Sequence, residues 1–90
     1  MRLNSPLDKI LNNETKIRVL RIFCRTAGEM SGRQMAKMAG VTPKTAHETL
    51  QDLLREGALV MRAVGKTHLI RLNEDRAIVH EVLKPLFLFE

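Results

Sequence analysis

Apolar residues recur along this chain first at the spacing of helices and then at the spacing of strands. Over residues 13–27, Ile17, Leu20, Cys24 and Ala27 form one helical face, with Phe23 beside it. Val19 and Ile22 point elsewhere, so this helix is apolar on more than one side. That predicts either a helix sandwiched between neighbours or one that makes a dimer contact. Asn13 can cap its start and Gly28 ends it. Upstream, Ser5, Pro6 and Asp8 read as the start of a short helix that ends by Asn12 and Asn13.

Ser31 opens the next helix, Gly32–Ala39, whose apolar positions are Met35, Ala36, Met38 and Ala39. Gly40 has the place of a C-terminal glycine, and Val41 alone separates it from Thr42-Pro43, a second start signal. The helix over residues 43–56 carries Ala46, Leu50, Leu53 and Leu54 on one face, and Gly57 stops it. Two helices joined by so short a turn containing glycine predict a helix-turn-helix over residues 31–56.

The period then changes to two. Leu59–Val64 and Thr67–Leu72 read as strands joined by Gly65-Lys66, with glycine where a type II′ turn needs it. Counting outward pairs Val64 with Thr67 and Leu59 with Leu72. One face then holds Leu59, Met61, Ala63, His68, Ile70 and Leu72, and is expected to lie on the helices. The other holds Val60, Arg62, Val64, Thr67, Leu69 and Arg71, and is expected to be mostly wet. Asn73 can cap a last helix over residues 74–90, lined by Ile78, Val79, Val82, Leu83 and Leu86. Pro85 should kink or end it. The run Leu86-Phe87-Leu88-Phe89 is too apolar to leave in water.

Composition adds limits. Ninety residues make one domain, expected to span residues 1–90, and the wing region is 58–72. With no Trp or Tyr, the core must be aliphatic. The lone Cys24 forbids an internal disulfide and a Cys-rich zinc site, and suits a reducing cytoplasm. No stretch approaches a membrane span or a signal peptide, so no membrane partner is expected. The net charge of +5 favours polyanions, and it is unevenly placed. Residues 1–30 carry +3, residues 31–57 carry +1, residues 58–72 carry +3 and residues 73–90 carry −2. The anion-seeking surface therefore belongs to the first 72 residues.

The order of elements, mainly α with a small β-hairpin, is that of a winged helix-turn-helix: a three-helix core, a two-stranded wing and extra terminal helices. The sequence over residues 31–73 also resembles bacterial and archaeal winged helix regulators of the MarR/ArsR-like type. The resemblance rests on Ala36 through Gly40-Val41-Thr42, then Thr45, Leu50 and Leu53, then Glu56-Gly57-Ala58-Leu59-Val60 and Gly65-Lys66-Thr67. It implies a transcriptional regulator that binds double-stranded DNA. The chain is similar, too, to short winged helix domains that precede small nucleotidyltransferase domains, although no nucleotidyltransferase motif is present.

In such a domain the helix over residues 43–56 enters the major groove by its N-terminal end. At ~100° per residue its outer face holds Lys44, Glu48, Gln51 and Arg55, with Thr45 and His47 beside it. Lys44 can read guanine and Gln51 adenine. Thr42 and Thr45 can bind phosphate, although Thr42 is better read as the helix cap. Arg33 and Lys37 can cross the backbone. Arg62, Lys66 and Arg71 lie on the hairpin, with Lys66 at its tip. Arg18, Arg21 and Arg25 read as a solvated face. The candidate DNA-binding set is Arg33, Thr42, Lys44, Thr45, His47, Gln51 and Lys66.

Glu48 and Asp52 oppose this reading, since carboxylates near phosphates cost affinity. They keep open a winged helix that binds protein instead, and the apolar C-terminal end keeps open a second domain or partner protein there. Val19, Ile22 and Phe87-Leu88-Phe89 otherwise predict a homodimer. His47, His68 and His80 lack metal-ligand spacing, Cys24 reads as core, and no catalytic constellation or cofactor motif is present.

Overall fold

The computed structural model describes residues 12–26 and 28–89. The short helix expected from Ser5 lies outside the described residues. The chain runs α1 (Glu14–Thr26), β1 (Met30–Ser31), α2 (Gly32–Ala39), α3 (Pro43–Arg55), β2 (Leu59–Val64) and β3 (Thr67–Leu72). A last helix opens as a π-helix, Ile78–Leu83, and continues as α4, Lys84–Leu88.

The local signals act as expected at the helix-turn-helix. Ser31 caps α2, accepting from the Gln34 amide at 3.2 Å, while the Gln34 side chain accepts from the Ser31 amide at 2.9 Å. This reciprocal pair satisfies two amides that a helix start leaves without partners. Gly40 closes α2 at φ 70, a conformation that costs a side-chain-bearing residue about 1–2 kcal/mol. Thr42 caps α3 by accepting from the Thr45 amide at 3.2 Å. Arg18, expected on a solvated face, instead reaches from α1 to donate to the Ala39 carbonyl at 3.2 Å. It satisfies a carbonyl at the end of α2 and fixes that helix against α1.

The sheet has three strands, not two. Its order is β1-β3-β2, with β1 pairing antiparallel to β3 through Met30↔Ile70 and Ser31↔Leu69. The hairpin register is the one counted from the sequence, from Val64↔Thr67 to Leu59↔Leu72, with Gly65 at φ 63 in the turn.

The core gathers Leu20 and Phe23 of α1, Met35 of α2, Leu53 of α3, Leu59 of β2 and Leu83 of the last helix, all nearly or fully buried. Each such side chain contributes about 1.5–3 kcal/mol by leaving water. Val19 is fully buried as well, and Ile22 packs partly buried against this core. The helix apolar on more than one side is thus one packed between neighbours, and Val19 is not spare surface. Phe87, also expected to be spare, is buried beneath Arg21, whose guanidinium lies 5.7 Å from the ring centroid. Leu86, Leu88 and Phe89 do remain exposed.

Two further expectations change. Asn73 does not cap the last helix; its side-chain amide donates to the Gly57 carbonyl at 3.0 Å, tying the end of β3 to the α3–β2 turn. The helix therefore starts later, after Ala77, without a side-chain cap. Its π-helical turn, in which the Lys84 amide bonds the Val79 carbonyl, gives way to α-helix at Lys84, one residue before Pro85, which has no amide hydrogen to donate.

Candidate nucleic-acid interface

Only the base of the hairpin rests on the helices. On its inward face Leu59, Ile70 and Leu72 are buried, but Met61, Ala63 and His68 are exposed. The expectation that this whole face packs on the helices fails for its outer half, because the strands run on past the helical core. Inward-facing residues beyond Ile70 border open space instead.

That space is a groove of about 550 Å³ between the hairpin and the α2–α3 unit. Arg33 comes from α2, His47 and Gln51 from the outer side of α3, and Lys66 and His68 from the hairpin. Leu50, Met61 and Ile70 supply apolar surface between them. No Asp or Glu is among the described residues that line it. Four residues of the sequence-derived set, Arg33, His47, Gln51 and Lys66, are thus brought to one groove. Thr42, Lys44 and Thr45 stand outside it, at the N-terminal end of α3, with Thr42 and Lys44 exposed and Thr45 half-buried. The Thr42 hydroxyl is occupied as a cap and also donates to the Thr45 hydroxyl at 3.0 Å.

The groove also takes in His68, which lies outside the sequence-derived set. Alternation assigned it to the face against the helices, where it read as a boundary histidine. A signal was present: His68 is a polar, ionisable side chain on a face otherwise made of Leu59, Met61, Ala63, Ile70 and Leu72.

The opposing acids are only partly opposed to anion binding. Asp52 is half-buried and held by Arg55 of the same helix at 2.8 Å. Glu48 is exposed on the outer side of α3. On the hairpin, Arg62 is engaged by Glu29 through two hydrogen bonds of 2.6 Å each. The hydrogen bond from Arg62 holds the Glu29 carboxyl below its ordinary pKa, and the same bond raises that of Arg62. Arg71 donates to the Leu72 carbonyl at 3.2 Å. Lys66, at the tip, is left as the exposed cation of the groove's hairpin wall.

Elsewhere, Cys24 is buried with its sulfur 4.0 Å from the Leu83 carbonyl, and burial pushes the thiol pKa up. Among the described residues no three His, Cys, Asp or Glu side chains are grouped to hold a metal ion. No helix among them is long and apolar enough to cross a membrane.

Helix-turn-helix, hairpin wing and flanking helices define a winged helix-turn-helix fold, and solved structures agree. A homodimeric winged helix-turn-helix DNA-binding domain from Mycobacterium bovis, described as a possible ArsR-family transcriptional regulator, superposes with a TM-score of 0.71 at 25% identity. The match covers 93% of this chain and 70% of that one. HlyU from Vibrio cholerae matches with a TM-score of 0.79 at 19% identity, over 93% of this chain and 87% of its own. The transcriptional repressor BigR from Xylella fastidiosa matches with a TM-score of 0.75 at 20% identity, over 93% and 82%. No protein-family model and no curated protein matches the chain.

Proposed function

We propose that this chain is the DNA-binding domain of a transcriptional regulator, in which the outer side of α3 enters the major groove and the wing follows the adjacent backbone. The observation that carries this is the groove, with no Asp or Glu among its described lining residues, into which Arg33, His47, Gln51 and Lys66 converge from three elements. Phosphate contacts from Arg33 and Lys66, with Thr42 and Thr45 at the helix start, would supply most of the affinity. Lys44 and Gln51 would supply base contacts. The solved neighbours, regulators of the same fold, support the reading.

The domain acts as a homodimer in this proposal, as the Mycobacterium bovis neighbour is described to be. The exposed Leu86, Leu88 and Phe89 support an apolar contact at the C-terminal helix. Two copies would then address half-sites ~34–36 Å apart. In this proposal the chain works as one domain in the cytoplasm, where its DNA would be.

Fluorescence anisotropy of a labelled duplex at two salt concentrations tests the reading. The expected result is non-specific binding with Kd of ~1–100 µM that weakens steeply with salt, and weakens further in Lys44→Ala/Lys66→Ala. Absence of binding at low salt would overturn it.

A further inference from the structure

The two walls of the groove each carry an imidazole: His47 on α3 and His68 on β3, both exposed and both lining the same space. Their neighbours in the groove are Arg33 from α2, Lys66 from the hairpin tip, and the neutral polar groups of Ser31, Gln51 and Thr67. Arginine and lysine keep their charge across the neutral range, and no carboxylate is among the described lining residues. Glu48 follows His47 on α3 but does not line the groove. Histidine is therefore the lining residue type whose charge changes between about pH 5 and 8.

A neutral imidazole offers one N–H donor and one acceptor, whereas the protonated ring offers two donors and a positive charge. Phosphate oxygens accept only, so a nucleic-acid backbone seated in the groove favours the protonated form. Resting on the DNA-binding reading above, we infer that His47 and His68 act together as a proton-linked phosphate clamp. DNA entry between α3 and the wing draws protons onto the two rings, and affinity rises as pH falls. His68 becomes a DNA-contacting residue in its own right, with the outer half of the wing holding it clear of the core for that purpose. Each proton taken up changes affinity by up to about tenfold per pH unit.

The test is anisotropy with a labelled random-sequence duplex at fixed low ionic strength, at pH 6 and pH 8, on the full chain. Circular dichroism of each variant confirms that these exposed substitutions leave the fold in place. The native sequence is expected to bind about tenfold more tightly at pH 6. His47→Gln/His68→Gln should lose most of that gain, while His80→Gln, altering a histidine that does not line the groove, should keep it. His68→Lys, with a permanent charge, should bind at pH 8 more tightly than the native sequence and respond less to pH. Binding with a flat native profile, or with the same pH response in the double variant, overturns the clamp and leaves the DNA reading standing. Folded protein that binds at neither pH overturns the DNA reading itself.

Discussion

The guanidinium of Arg62 and the carboxylate of Glu29 meet in two hydrogen bonds of 2.6 Å each, joining β2 to the residue before β1. β3 lies between those strands, so the pair braces all three across the outer face of the sheet. The hydrogen bond from Arg62 depresses the Glu29 pKa below its ordinary 4.5. A carboxyl with a depressed folded pKa adds stability above its unfolded value and loses it as pH falls through the folded one. Glu29→Gln is therefore expected to lower the thermal midpoint at neutral pH, with the gap to the native sequence closing below pH 4.5. Melts at both pH values check this; an equal gap at both would show that the ionised carboxylate contributes nothing.

Thr42 is positioned as both a cap and a candidate phosphate ligand, and the two roles separate by substitution. Thr42→Ala removes the bond to the Thr45 amide and should cost about 1 kcal/mol, read as a lower denaturation midpoint with unchanged slope. Thr42→Asp keeps a capping oxygen but adds a negative charge. It should retain stability and bind DNA more weakly than Thr42→Ala.

Gly57 lies at φ 83, and a methyl group there would strike the Arg76 guanidinium. The guanidinium ends a flexible side chain and can shift, so the backbone strain dominates. Gly57→Ala should cost about 1–2 kcal/mol in chemical unfolding, close to Gly40→Ala, where a methyl group meets open space. A much larger cost at Gly57 would mean that Arg76 is fixed in place.

Cys24 should behave as an inert core thiol. Its pKa is raised chiefly by burial, which leaves less thiolate at neutral pH than in a free cysteine. Alkylation of the folded protein should be slow at neutral pH and become fast in denaturant. Rapid reaction under native conditions would contradict the buried placement.

The helix-turn-helix and the hairpin were legible because each is governed by local chemistry. Gly40, Val41 and Thr42-Pro43 leave few alternatives for a turn, and Gly65 sets a register that alternation then carries outward. Strand β1 was not legible, since two residues beside a helix cap carry no period of their own. The burial of Val19 and Phe87 and the bond from Asn73 to Gly57 depend on what the rest of the chain brings alongside. The groove was legible in its parts but not as a groove. Arg33, His47, Gln51 and Lys66 could be named singly, whereas His68 required knowing how far the wing outruns the helices.

Ser31 belongs to two elements at once: its backbone pairs with Leu69 in the sheet, and its side chain caps α2. One wall of the groove is therefore bolted to the root of the other. The molecule is built like a calliper whose one jaw is α2–α3 and whose other is residues 63–68, the part of the hairpin that runs on past the rows paired with β1. The reach of the jaws is then set by how far the hairpin runs past those rows. Lengthening its tip would change the span of backbone the domain can grip while leaving the reading helix and the core where they are.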